Sequence, residues 1–199
     1  MPIYSFTFLI YTKSIPLVHI LHNLTIEYTQ KDNNLEIEID NQKVVLQKKD
    51  RVVGGEAPAI RIKMDDGETK VIGMMAHKVQ VLISVPNEKS LTDGFLNVIN
   101  KHIAKSLTYI ISATPITKML ENIDTSSDFK EYSLKMGVNV NDTLCAKSIF
   151  IINKEGEIVY KEIVPNLTDE FDLENFDTAL DAAIKFKQKG HTHENWMGV

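Results

Sequence analysis

The strongest constraint on the fold is a nearly continuous apolar run, VQVLISV, at residues 79–85. A run of β-branched residues without polar alternation is typical of a strand that is covered on both faces. Pro86 ends the run, and apolar residues then recur at helical spacing over 91–104. A second apolar run, LTYIIS, follows at 107–112. This pattern predicts buried strands of an α/β sheet with a helix between them.

Shorter elements flank this centre. Alternating or apolar segments separated by turn residues predict three pairs of strands, at 35–39 and 43–47, 59–64 and 69–73, and 148–153 and 157–163. Helical spacing and helix-end signals predict helices at about 115–121, 128–136 and 173–188. The order is that of a thioredoxin-like fold of the α/β class, with a mixed central sheet, flanking helices and an N-terminal β-hairpin.

The chain divides by composition into three parts. We interpret residues 1–34 as a poorly ordered extension, residues 35–188 as the thioredoxin-like domain, and residues 189–199 as a C-terminal tail. The extension is rich in Ile, Leu, Phe and Tyr, which leaves a signal peptide, a peripheral membrane anchor and an over-extended gene model open. We favour a true start near Leu24, with the native chain opening on the residues that follow.

Charge and cysteine content exclude several function classes. The formal net charge of −5 argues against general nucleic-acid binding, which needs a basic face. No apolar run reaches the roughly 20 residues that span a bilayer. Cys145 is the only cysteine, so an internal disulfide and a four-cysteine zinc site are excluded and a reducing, cytoplasmic location is expected. No nucleotide-binding motif occurs, and we expect neither a cofactor nor a metal.

Four segments carry a resemblance to a known family: EAPAIRIKMDDG, KVQVLISVPNEKSLTD, SLTYIISATP and CAKSIFIINKEGEIVYKEIVPNLTDE. Together they resemble the thiol peroxidase branch of the peroxiredoxins, over about residues 35–184. The resemblance implies a thioredoxin fold, a homodimer and no cofactor. It also implies a cysteine in the first turn of a helix that attacks peroxide, with a second cysteine that resolves the sulfenic acid to a disulfide.

The family motif Pro-x-x-x-Thr-x-x-Cys can be placed on this chain residue by residue. It puts the proline at Pro86, the threonine at Ser90 and the peroxidatic cysteine at Asp93. The resolving position falls on Asn122, and the family's active-site arginine falls on Lys147. A carboxylate can neither attack peroxide in this way nor form a disulfide. The scaffold therefore matches the family, whereas the residues that carry its chemistry do not.

The replaced pocket predicts a specific ion pair. We expect Asp93 in the first turn of its helix, where a negative charge suits the helix dipole, with Lys147 at roughly 4 Å or less. The alternative is that Asp93 is an ordinary helix acid that points to solvent. Cys145 precedes Lys147 by two residues, a spacing that places both side chains on one face of a strand. Cys145 is then either a reactive thiol in the same pocket or a buried residue that acts as a small hydrophobe.

Two further groups of residues are candidates for binding. His191, His193 and Glu194 offer loosely spaced metal ligands, although a solvated tail accounts for them better. The acidic residues Asp169, Glu170, Asp172, Glu174 and Asp177 suit the start of the last helix, with a partner-binding face as the alternative.

The function expected from the sequence is that of a thiol peroxidase-like protein of the peroxiredoxin family that has lost cysteine-based peroxide reduction and acts by binding or regulation. The alternative is a residual thiol-dependent peroxidase that works through Cys145.

Overall fold

The apolar run at 79–85 forms the middle strand of the central sheet. In the computed structural model, which describes residues 35–46 and 51–186, this run is β5 and every one of its residues is buried. The strand order is β11-β10-β5-β6-β7, with β5, β6 and β7 parallel to one another, β10 antiparallel to β5 and β11 antiparallel to β10. The expected mixed sheet is confirmed.

The strands and helices have these bounds. The strands are β1 Glu36–Ile39, β2 Gln42–Val45, β3 Ile60–Lys63, β4 Thr69–Ile72, β5 Val79–Val85, β6 Ser106–Ser112, β7 Ile123–Ser126, β8 Asn139–Asn141, β9 Leu144–Cys145, β10 Ser148–Ile152 and β11 Ile158–Ile163. The helices are α1 Asp93–His102, α2 Lys130–Met136 and α3 Leu173–Lys185, with a 3-10 turn at Glu88–Ser90.

Two apolar clusters cover the two faces of the sheet, which explains why β5 shows no polar alternation. On one face, α1 and α3 pack through Phe95, Ile99, Phe176 and Leu180 onto alternate residues of β5. On the other face lie α2, the β1–β2 hairpin and the β3–β4 hairpin. This sandwich of helices and hairpins around one sheet is the arrangement that the sequence predicts.

The expected helix at 115–121 does not form. The Thr117 N–H donates to the Glu88 carboxylate instead of to a helical carbonyl, and Asn122 adopts a left-handed turn at φ 59°. A helix of seven residues without a buried face is too short to be stable on its own. The chain instead continues into β7, a strand that the sequence did not reveal because Asp124, Thr125 and Ser126 give it no apolar alternation.

The remaining differences are small. The strands β8 and β9 form a short hairpin that the sequence did not predict, and α2 and α3 are two to three residues shorter than expected. Gly137 ends α2 at φ 75°, as its position predicts. The extension at 1–34 and the tail at 189–199 lie outside the described residues, so their interpretation stays a prediction.

Candidate functional site

The loop at 86–92 connects the carboxyl end of β5 with α1 and holds two of the expected site residues, Pro86 and Ser90. Asn87 caps the 3-10 turn, since its side-chain oxygen accepts the Lys89 N–H at 3.0 Å. Leu91 is buried against the α1 side of the sheet and anchors the loop. Pro86 and Ser90 are half-buried on either side of this turn. The hydrogen bond within the 3-10 turn and the buried Leu91 side chain therefore fix the conformation of this loop.

Asp93 is the first residue of α1, as the motif predicts. Thr92 precedes it in extended conformation and accepts the Phe95 N–H at 3.4 Å, which is N-cap geometry. The Asp93 side chain is 93% exposed, and its Oδ1 lies 3.2 Å from Lys118 Nζ. A carboxylate in this place is stabilised by the helix dipole. It projects into solvent and pairs with Lys118.

Lys147 does not pair with Asp93, so the ion pair predicted from the sequence is wrong. Its Nζ donates to the Asp169 carbonyl at 2.5 Å, lies 3.8 Å from Glu170 Oε2, and sits 4.8 Å from the centroid of the Phe171 ring. The lysine side chain is only 2% exposed. Burial lowers the pKa of Lys147, and the neighbouring acids oppose that shift. The residues just before α3 therefore bind the Lys147 ammonium, which the sequence predicts beside Asp93 at the start of α1.

Cys145 lies in a different environment from Lys147, so the two do not share a pocket. The thiol is fully buried in the cluster that includes Tyr132 and Met136, whereas Lys147 contacts Phe171 in the cluster on the opposite face. Cys145 Sγ lies 3.6 Å from the Val85 carbonyl. Burial raises the pKa of Cys145 to about 12. The thiol is therefore protonated at neutral pH and behaves as a small buried hydrophobe.

Asn122 lies far from Asp93 along the sheet. It directly precedes Ile123, which pairs with Thr108 near the start of β6, while the loop that carries Asp93 follows the other end of β5, where Val85 pairs with Ser112. The five residue steps from Leu107 to Ser112 span about 16 Å. The structure brings Pro86, Ser90 and Asp93 together in the loop and helix start at 86–93 and leaves Asn122 at the far end of the sheet. Cys145 Sγ contacts the Val85 carbonyl just before this loop, and Lys147 is held by residues 169–171.

The sequence does not predict two residues that contact the candidate site, Thr117 and Lys118. Glu88 Oε2 accepts hydrogen bonds from both the N–H and the hydroxyl of Thr117, each at 2.7 Å. These hydrogen bonds lower the pKa of Glu88. The Asp93–Lys118 ion pair makes a second contact between the same two segments. The contacts join residues 29 and 25 positions apart, and no local pattern signals such partners.

Two features of other functional classes are absent from the part of the chain that the structure describes. Residues 35–46 and 51–186 contain no group of three metal-ligating side chains and no helix that is long and apolar enough to cross a membrane. His191, His193 and Glu194 lie outside these residues. The acidic residues at 169–177 serve local structure in part: Asp172 caps α3, and Asp177 bonds Lys101 and His102 of α1.

Comparison with known proteins assigns the family. No protein-family model matches the chain. A thiol peroxidase of Campylobacter jejuni is 31% identical over 143 residues, which cover 63% of this chain and 81% of that protein. The chain belongs to the thiol peroxidase family. A thiol peroxidase of Aquifex aeolicus is 26% identical over 135 residues, covering 59% of this chain and 80% of that protein.

Solved structures agree with the fold of this thiol peroxidase family member. A peroxiredoxin-like protein from Aquifex aeolicus superposes with a TM-score of 0.62 at 22% identity, over 74% of this chain and 96% of that one. A thiol peroxidase from Chromobacterium violaceum superposes with a TM-score of 0.60 at 12% identity, over 74% and 95%. At these identities the superpositions establish the thioredoxin-like peroxiredoxin fold.

Proposed function

We propose that this thiol peroxidase family member does not reduce peroxides through cysteine and acts instead by binding or regulation. The observation that carries the proposal is the residue at the start of α1. The position at which the family motif places the attacking sulfur holds Asp93, whose side chain is an exposed carboxylate paired with Lys118. A carboxylate oxygen cannot take the place of a thiolate, because it forms neither a sulfenic acid nor a disulfide.

The state of Cys145 supports the proposal over its alternative. Burial raises the pKa of Cys145 to about 12, so the protonated thiol predominates at neutral pH, whereas the thiolate is the reactive form. The thiol is also fully buried, so a peroxide does not reach it in the closed fold. A residual peroxidase that works through Cys145 would need the thiol both to be exposed and to have a lower pKa.

The assembly and location that we propose follow from the resemblance. We expect a homodimer built around the face that carries Asp93, in a cytoplasmic setting and without a cofactor. A pull-down from the native cell would identify the partner of the binding function.

Peroxide turnover tests the proposal directly. The purified chain is given hydrogen peroxide or an organic hydroperoxide with dithiothreitol or thioredoxin as the thiol donor. We expect peroxide consumption at the rate of the donor alone, both for the natural chain and for Cys145→Ser. Turnover above that rate would overturn the proposal. If that turnover were lost in Cys145→Ser, the alternative function would be correct.

A further inference from the structure

Residues 165–172, which we call the strap, connect β11 with α3 and pass beside the start of β10. Val164, the residue before the strap, donates its N–H to the carbonyl of Lys147 at 3.0 Å. No residue of the strap lies in a helix or in one of the strands defined above, and only Phe171 is buried. A segment with so few buried contacts opens at a lower free energy than the core does.

The Lys147 side chain lies beneath the strap, with 2% of its surface exposed. Its Nζ donates to the Asp169 carbonyl and lies 4.8 Å from the centroid of the Phe171 ring. Phe171 in turn packs on Phe95 of α1, with 4.9 Å between the ring centroids. The closed strap therefore excludes water from the ammonium by placing Phe171 over it.

The carboxylates around Lys147 only partly compensate for its burial. Glu170 Oε2 lies 3.8 Å from Nζ, and its side chain is 62% exposed, so water screens the attraction. Glu162 of β11 and Asp169 of the strap also attract the ammonium. Burial outweighs all three, since the pKa of Lys147 lies below its usual 10.5. An ammonium whose pKa falls on enclosure is more stable in water, so the enclosed charge favours the open strap.

We propose that the strap is a conformational switch that opens to hydrate the Lys147 ammonium, and that the enclosed charge keeps it poised to open. When the strap opens, Phe171 leaves Phe95 and the positive charge becomes accessible to solvent. Lys147 directly precedes β10, whose first residue pairs with Ser84, so this charge appears at the end of β5 from which the loop at 86–92 starts. The inference concerns the strap and does not depend on the function proposed above.

Hydrogen exchange at the Asp172 amide measures how often the strap opens. In the closed strap this N–H donates to Glu162 Oε1 at 2.8 Å. The full chain is compared with Lys147→Met, which keeps a long unbranched side chain and removes the charge. Replacing a buried charge by an apolar side chain of similar size often stabilises the closed state, so we expect exchange at least about fivefold slower in Lys147→Met. If Lys147 served only as a cross-link to the strap, exchange would instead be faster.

Lys78→Met is the matched control. Lys78 Nζ also donates to a backbone carbonyl, that of Ala104 at 3.0 Å, but in an exposed setting. This variant should leave exchange at Asp172 unchanged. The Glu68 amide, which donates to Asp66 Oδ1 at 2.8 Å in the turn between β3 and β4, is an internal reference and should exchange equally in all three proteins.

The pH dependence of exchange gives a second readout on the natural chain. Because the pKa of Lys147 is lowered in the closed strap, closing releases a proton, and the opening constant should fall as the pH rises toward 10.5. This constant is the measured rate divided by the intrinsic exchange rate at each pH, and in Lys147→Met it should not change with pH.

Three results would overturn the switch. One is unchanged or faster exchange at Asp172 in Lys147→Met. Another is the same pH response in Lys147→Met as in the natural chain. The third is a slowing that merely equals the gain in global stability measured by urea unfolding, because the strap would then open only when the whole chain unfolds.

Discussion

At the scale of single residues, Asp93 and Lys147 do not pair with each other as the sequence predicts, and each side chain has a different partner. Asp93 occupies the first residue of α1, as expected, and pairs with Lys118. Lys147 is held by the Asp169 carbonyl and the Phe171 ring in the segment before α3. A buried ammonium needs a hydrogen-bond acceptor close by, and the segment before α3 supplies one. The pairing is thus decided by which acceptor shares the lysine's enclosed site.

The helix start should still activate a thiol. In a Cys145→Ser background, we expect Asp93→Cys to have a thiol pKa below the usual value of about 8.5, because the dipole of α1 and the Lys118 ammonium favour the thiolate. Asn100→Cys is the control, an exposed position in the last turn of the same helix, where the dipole has the opposite sign. Thiolate absorbance at 240 nm against pH measures both values.

Equal pKa values for the two cysteines would contradict this prediction. Because the family motif has an arginine at this position, the resemblance by itself would predict that Lys147→Arg raises sulfenic acid formation in Asp93→Cys further. The structure revises that expectation. With Nζ held by the Asp169 carbonyl, an arginine at this position stays near residues 169–171, and we expect dimedone trapping of Asp93→Cys to be unchanged by it.

At the scale of elements, two kinds of contact hold the pieces in place. The helices α1 and α3 are tied by Asp177, which lies 2.6 Å from Lys101 Nζ and 2.7 Å from His102 Nε2. The β3–β4 hairpin closes against a neighbouring loop at Gly73, where φ is 91°. A side-chain Cβ at Gly73 would lie 2.2 Å from the Pro58 carbonyl oxygen. The first contact depends on charge and the second on close backbone approach, so pH and side-chain size test them separately.

The Asp177 contact predicts a pH dependence of stability. The hydrogen bonds from Lys101 and His102 lower the pKa of Asp177 from its usual 3.8. A lowered folded-state pKa stabilises the fold above pH 4 and loses that contribution as the pH falls through the lowered value. We expect Asp177→Asn to cost about 1 kcal/mol at pH 7 and progressively less as the pH falls below 4 in urea titrations.

Asp181→Asn serves as the comparison for the Asp177 prediction. Its carboxylate bonds Lys185, one turn away in the same helix, and an exposed pair of this kind contributes little to stability. If the two variants lost the same free energy of unfolding at pH 7, the Asp177 contact between α1 and α3 would stabilise the fold no more than the exposed pair within α3.

Gly73 and Gly67 form a matched pair for backbone strain. Both have φ near 90°, but a Cβ at Gly67 would meet no atom within 4 Å. We expect Gly67→Ala to cost about 1–2 kcal/mol, which is the penalty of the left-handed conformation alone. Gly73→Ala should cost at least about 2 kcal/mol more, because its Cβ overlaps backbone that cannot move aside. Equal shifts in the urea midpoint would show that the Pro58 loop yields.

At the scale of the whole molecule, the face that carries Asp93 is the one on which we expect the homodimer. Lys118 pairs with Asp93, so the neighbouring Met119 adjoins this face, and its side chain is 96% exposed. Met75 lies on a separate loop and is 70% exposed. The homodimer that we propose would use the face with Met119.

Sedimentation tests the dimer and its face together. We expect a dimer at micromolar concentration, weakened at least about tenfold by Met119→Glu, since a charge at the centre of an interface lacks a partner. Met75→Glu adds the same charge to an exposed methionine elsewhere and should leave the dimer intact. A monomer in the natural chain, or equal effects of the two substitutions, would remove the proposed interface.

The sequence by itself determined the central architecture and the start of α1. Apolar periodicity predicts β5, β6, β10, β11 and the main helices because each element must present a continuous apolar face to the core. The spacing of apolar residues within each element shows this face directly in the sequence. The motif at 86–93 likewise places Asp93 at the helix start, because capping is local.

Only the tertiary structure decided the partners and the burial of the site residues. Lys118 and Thr117 reach Asp93 and Glu88 across more than twenty positions of sequence. β7 forms from polar residues because its hydrogen bonds go to β6. Cys145 is buried because the apolar cluster that includes Tyr132 and Met136 encloses it. Ion pairs and pKa values depend on distance and solvent exposure in the folded chain, and local sequence patterns carry neither quantity.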